Sequence, residues 1–257
     1  MGTVTSRDGT VIGFHTVGQG PPLVLVHGTA ADHTRWLPVL DQLAEQYTVH
    51  AVDRRGRGLS GDGPDYDIRR EGEDLAAVIG AAGKDVYVVG HSYGALCSLE
   101  AALLTNAVNR ILLYEPPAAT PGHQVSSPAL LAALREAGSP EEIVTVLFRD
   151  ALSMSDEQLS ALRGTPVWLA RLAAAPTVPR EFATVEDFDI AASRFAGIRA
   201  PVRLLVGTES PAYFRPAAEA LATQLRDVEV LDLPGQAHVA MDSAPDLFLD
   251  RVLGFMR

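Results

Sequence analysis

The 257 residues are 47% hydrophobic and 21% charged, enough to bury about three quarters of the extended chain's surface in one large domain, which excludes a disordered chain. The formal net charge of -11 repels phosphate backbones and anionic lipid, arguing against nucleic-acid or membrane partners and for a small molecule of neutral or apolar character. The single Cys97 excludes an internal disulfide, no apolar run reaches the roughly 20 residues of a membrane span, and the opening MGTVTSRDGT lacks signal-peptide character, so a cytoplasmic location is expected.

Asp8-Gly9 stands between Val4 and the alternating Val11-Ile12-Gly13-Phe14, which predicts a hairpin. Continuous apolar runs then recur at 23–26, 48–52, 86–89, 110–114, 202–206 and 228–233. Runs of this kind suit strands buried on both faces. Helical patterns lie between them at 36–46, 69–82 and 95–104, so strand and helix alternate as in parallel crossovers. From 118 to 190 only helical spacing appears, through Leu130, Leu134, Ile143, Leu147, Leu159, Leu162 and Leu169. The expected organisation is therefore a core of 1–117 and 191–257 with a helical cap of 118–190 over the strand ends. Near the end, Ser243 and Asp246 have capping-box spacing and predict the start of a last helix over 247–255.

The strongest local signal is VYVVGHSYGALCSLEA, an apolar strand that runs through Gly90-His91-Ser92-Tyr93-Gly94 into a helix. A G-x-S-x-G between strand and helix is a sharp turn that lifts Ser92 off the strand end, with glycines where side chains would clash. A serine hydroxyl needs a base. Among seven histidines, His238, between the last strand and the last helix, is the candidate. His27 is expected to support its loop, and His91 to point away from the reaction. The segment His27-Gly28-Thr29-Ala30 ends an apolar run, so the backbone N–H groups of Thr29 and Tyr93 are candidate oxyanion donors.

Taken in order, HGTA, DRRGRGLS (53–60), GHSYG and GQAH resemble the α/β-hydrolase family over nearly the whole chain. The resemblance implies an α/β fold with a mostly parallel eight-stranded sheet flanked by helices, a Ser-acid-His triad and a lid. DRRGRGLS is similar to the family's D-x-R-G-x-G-x-S loop and is expected to be structural, with arginine ion pairs. In the family's commonest arrangement the acid follows the seventh strand, a slot that here holds Ser210, with Glu209 one residue early. Other members, such as zearalenone-lactone hydrolases, take it from the end of the sixth strand, where this chain has Glu115. Glu115 is the preferred acid and Glu209 the alternative. Asp242 is too close to His238 along the chain.

The expected function is hydrolysis of an ester or lactone of a small, largely apolar substrate through an acyl-enzyme on Ser92, with no metal or organic cofactor. C–C bond hydrolysis, thioester hydrolysis, perhydrolysis and a ligand-binding protein without turnover stay open, as does monomer against homo-oligomer. A serine nucleophile argues against dehalogenase and epoxide-hydrolase chemistry, which resembles this fold but uses aspartate. Trp36, Phe148 and Trp168 are candidate pocket residues.

Overall fold

The computed structural model describes residues 1–152 and 154–257. Its sheet has eight strands: β1 (Gly2–Thr5), β2 (Val11–Val17), β3 (Pro22–Val26), β4 (Thr48–Val52), β5 (Val86–His91), β6 (Val108–Tyr114), β7 (Val202–Gly207) and β8 (Val228–Leu233). They lie in the order β1-β2-β4-β3-β5-β6-β7-β8, with β1 and β2 antiparallel to their neighbours and all other pairs parallel. The hairpin forms where Asp8-Gly9 predicts it, and Gly9 takes a φ of 89° that favours glycine.

The unbroken apolar runs follow from burial on both faces, because alternate side chains of one strand enter different cores. In β3, Leu23 and Leu25 join the core under α1 (Leu37–Ala44) and α11 (Pro245–Met256). Val24 and Val26 join the other, under α2 (Ile68–Ala82), α3 (Tyr93–Ala102) and α9 (Phe214–Ala222). β3 pairs with β4 on one side and β5 on the other. The chain therefore reverses direction across the sheet at β3, and the crevice beyond the carboxyl ends of β3 and β5 is where ligands of such sheets bind.

Between β6 and β7 come α4 (Pro128–Glu136), α5 (Pro140–Val146), α6 (Asp156–Leu162), α7 (Pro166–Ala174) and α8 (Val178–Asp187). These helices, within the span expected for the cap, share an apolar cluster built from Leu130, Leu134, Ile143, Val144, Leu147 and Leu159, with Ala30 packed into it. The Ser243–Asp246 capping box does not form. Ser243 ends the short α10 (Ala240–Ser243), its Oγ bonds Gln236 Oε1 at 2.7 Å, and α11 starts after Ala244 with no side-chain cap. A capping box occurs instead at α6, where Ser155 and Gln158 exchange bonds.

Candidate active site

The carboxyl ends of β3, β5 and β6 each carry a non-glycine residue in left-handed backbone: Ala30 (φ 52°), Ser92 (φ 55°) and Glu115 (φ 51°). Each costs roughly 1–3 kcal/mol, and strain of this kind persists where the surrounding structure holds a functional geometry. For Ser92 the holding groups are visible. Its N–H donates to Tyr114 O at 2.8 Å. A Cβ at Gly90 would lie 2.8 Å from Ala95 Cα and from Gly94 O, and one at Gly94 would strike the carbonyls of Val26 and His27, so both elbow glycines are required by close backbone approach. A Cβ at Gly28 would lie 2.8 Å from Ser92 Cβ and 3.4 Å from its Oγ, so Gly28 lets the HGTA segment come up against the serine. Thr29 follows Gly28 and Tyr93 follows Ser92 in the chain, and Tyr93 opens α3, where backbone N–H groups have no intrahelical acceptor.

His238 and Glu115 meet. His238 Nδ1 lies 2.5 Å from Glu115 Oε2, and the carboxylate is fully buried. Its other oxygen, Oε1, accepts from Gly207 N at 2.7 Å, and Glu115 N donates to Leu205 O at 3.0 Å. The ring of His238 stacks on Phe214, with centroids 4.6 Å apart and planes at 18°. With Nδ1 donating to the carboxylate, Nε2 is the free acceptor. Among the described residues no hydrogen bond joins Ser92 Oγ to His238, a contact that in such sites tightens when substrate binds. Glu209 is exposed on the loop after β7, where its N–H donates to Gln236 O at 2.9 Å. The contact of this part of the chain with Glu115 is a backbone one, from Gly207 at the end of β7.

Two residues that sequence reasoning gave no part in the site hold the histidine loop. His91 Nε2 donates to His238 O at 2.8 Å, so its ring reaches back to the site instead of pointing away. The Tyr114 hydroxyl donates to Ala237 O and accepts from Ala240 N at 3.2 Å. Burial, then the neighbouring His238 and Arg35 charges, holds His91 well below the ordinary histidine range, so it is neutral. His27 is also neutral, through burial and then the charges of Arg54 and Arg57. Its Nδ1 donates to Gly28 O at 2.8 Å and its Nε2 accepts from Arg54 N at 3.2 Å, the loop-supporting part expected of it.

The DRRGRGLS arginines form the expected ion pairs, and these reach the cap. Arg54 pairs with Glu71 at 2.7 Å and with Glu181 of α8 at 2.6 Å, and Arg57 pairs with the same Glu181 oxygen. Arg54 also donates to the carbonyls of His27 (3.3 Å) and Gly28 (3.2 Å), and its guanidinium lies 4.6 Å from the centre of the Tyr93 ring. Tyr93 OH donates to Tyr66 OH at 2.6 Å, which donates to Glu71 at 3.1 Å. One buried cation thus ties both candidate oxyanion segments to each other and to the cap.

Of the candidate pocket residues, Trp36 is wholly buried in the α1–α11 core against Phe248 and His91, so it supports the site from beneath. Phe148 and Trp168 face each other at 6.3 Å within the cap cluster that covers Ala30. His15, His33 and Asp53 bring three donor atoms within 4.8 Å of one another. The two rings are stacked 3.5 Å apart at 12°, so their in-plane lone pairs run side by side and do not converge on an ion. Asp53 is used internally, accepting from His33 Nδ1 and N and from Leu59 N.

The sequence profile of the Alpha/beta hydrolase family matches residues 23–251. The chain is 31% identical over 198 residues to N-formylmaleamate deformylase of Pseudomonas putida, spanning 74% of this chain and 71% of that protein. The structure of an alpha/beta hydrolase from Sphaerobacter thermophilus is 35% identical and covers both chains completely, with a TM-score of 0.83. The enol-lactonase of Burkholderia xenovorans, 20% identical with a TM-score of 0.75 over 99% of each chain, shares the fold. On this match of profile, sequence and architecture, the chain belongs to the Alpha/beta hydrolase family.

Proposed function

We propose that this hydrolase cleaves an ester or lactone of a small, largely apolar substrate through an acyl-enzyme, with Ser92 as nucleophile, His238 as general base and acid, and Glu115 as the triad acid. The observation that carries the reading is the 2.5 Å contact of Glu115 with His238 Nδ1, beside a strained serine that the strand-to-helix turn presents to the same crevice. The carboxylate fixes the tautomer that leaves Nε2 ready for the serine proton, and stabilises the imidazolium once it forms. Ser92 Oγ attacks the carbonyl, and the oxyanion is met by the N–H groups of Thr29 and Tyr93, whose positions Arg54 and the glycines hold before substrate arrives. His238 passes the proton to the leaving alcohol, and water, activated by the same histidine, resolves the acyl-enzyme. Residues 118–190 serve as the lid and residues 1–117 and 191–257 as the catalytic core.

The likeness to a deformylase favours a second reading, hydrolysis of an N-acyl amide by the same groups. The test is turnover of a panel of nitrophenyl esters, lactones and N-formyl amides, with Ser92→Ala as blank and a fluorophosphonate probe to report an activated serine. Labelling with multiple turnover on esters and lactones supports the first reading. Turnover confined to amides selects the second. Labelling of Ser92 without turnover on any of them leaves a ligand-binding protein.

A further inference from the structure

Arg171 projects from α7 of the cap onto the oxyanion segment, where its Nη1 donates to Ala30 O, the carbonyl next to Thr29. It is partly buried, and among the described residues no carboxylate lies within ion-pair distance of it. Its neighbour Arg35 is neutralised by Asp242. Its contact with Ala30 O places the guanidinium on the HGTA segment that follows β3 and meets Ser92 at Gly28. Burial, and then repulsion from Arg35, brings its pKa down to about 10. Asp32 and Asp242 favour its ionised form from a distance, without an ion pair to it among the described residues. The other buried arginines here, Arg54, Arg55 and Arg57, each have one or more carboxylate partners.

We propose that Arg171 receives a carboxylate on the acyl side of the substrate, so that the enzyme acts on half-esters of short dicarboxylic acids. The substrate class rests on the hydrolase reading above; the anion site rests on Arg171 alone. A guanidinium with no carboxylate in direct contact suits a monoanion, and its planar fork matches a carboxylate. Ala30 is two Cα steps of about 3.8 Å from Gly28, and Gly28 abuts Ser92. The bound carboxylate and the scissile carbonyl are then separated by on the order of 10 Å, a span for short diacids. A neutral substrate is what the scattered basic residues of the linear sequence suggest. Folding brings Arg35 and Arg171 together, and Asp242 forms its ion pair with Arg35 alone.

The test compares monomethyl adipate with methyl hexanoate, equal in acyl length, by pH-stat. Each reaction breaks the acyl C–O bond, releases methanol and adds water to the acyl group. The expected kcat/KM preference for the half-ester is tenfold or more in the wild-type enzyme; Arg171→Gln removes at least tenfold of it, and Arg171→Lys retains part. Arg171→Gln also loses the donor to Ala30 O, so rates on both esters fall and the ratio isolates the charge. A second arm measures binding of monomethyl adipate to Ser92→Ala by calorimetry, with and without Arg171→Gln. Arg171-dependent binding without turnover by the wild-type enzyme would sustain the anion site and sink the hydrolase reading. A half-ester preference that is absent or insensitive to Arg171, with no Arg171-dependent binding, overturns the proposal whether or not esters are turned over.

Discussion

Glu115 Oε2 lies 2.5 Å from His238 Nδ1 while Glu115 Oε1 accepts the N–H of Gly207 at 2.7 Å, so the orientation of the carboxylate is set from both sides. Glu115→Gln turns this arrangement against catalysis. The amide oxygen stays on Gly207, the amide nitrogen donates to Nδ1, and the imidazole proton is forced onto Nε2, the atom that must accept from Ser92. A loss in kcat of about a thousandfold or more is expected, against little change for Glu209→Gln, measured by steady-state kinetics on whichever ester is turned over. The reverse pattern would move the acid to the loop after β7.

Gly207 has a second constraint, because a Cβ there would strike Gln236 O. Gly207→Ala must shift the loop that supplies the donor to Glu115. A stability loss of about 1–3 kcal/mol, typical of overpacking, is expected together with a fall in kcat. Urea denaturation and kinetics on one preparation check the pairing; an unchanged kcat would show that the Gly207 donor is dispensable.

Glu181 joins α8 of the cap to Arg54 and Arg57, and all three are buried. Glu181→Gln leaves two buried guanidinium groups short of charge. Losing one partner of such a cluster costs about 3–5 kcal/mol, and Arg54 is also the donor to His27 O and Gly28 O. Denaturant midpoints should fall accordingly; a variant as stable as the wild type would mean that the cap does not depend on this link.

The neutral, buried His27 and His91 make stability depend on pH. Both have folded-state values well below 6.5, so below pH 6.5 the unfolded chain takes up protons that the native state does not. Their stabilising contribution is full above pH 6.5 and is lost as pH falls, by about 1.4 kcal/mol per pH unit for each histidine. Urea unfolding at several pH values from 7.5 to 5 should show this slope, and His91→Gln should remove about half of the part due to the pair. A flat profile over that window would show that both rings protonate freely in the folded protein.

Features that depend on neighbours along the chain were legible without the fold. Two-faced burial writes continuous apolar runs, and all six predicted strands form, β4 and β8 over the predicted spans. The elbow was legible because strand, glycines, Ser92 and helix are contiguous, and the two glycines answer to clashes within a few residues or with the adjacent strand. Spacing misled where a local pattern competed with a tertiary partner, as when Ser243 took Gln236 in place of a helix cap. Which carboxylate meets His238 is settled in three dimensions, since Glu115 is 123 positions away along the chain. The same holds for the hydrogen bond of His91 to His238 O, 147 positions away, and that of Arg171 to Ala30 O, 141 positions away. Contacts at such separations leave no periodicity to read, because they are set by the order of strands in the sheet and by the packing of the helices between β6 and β7.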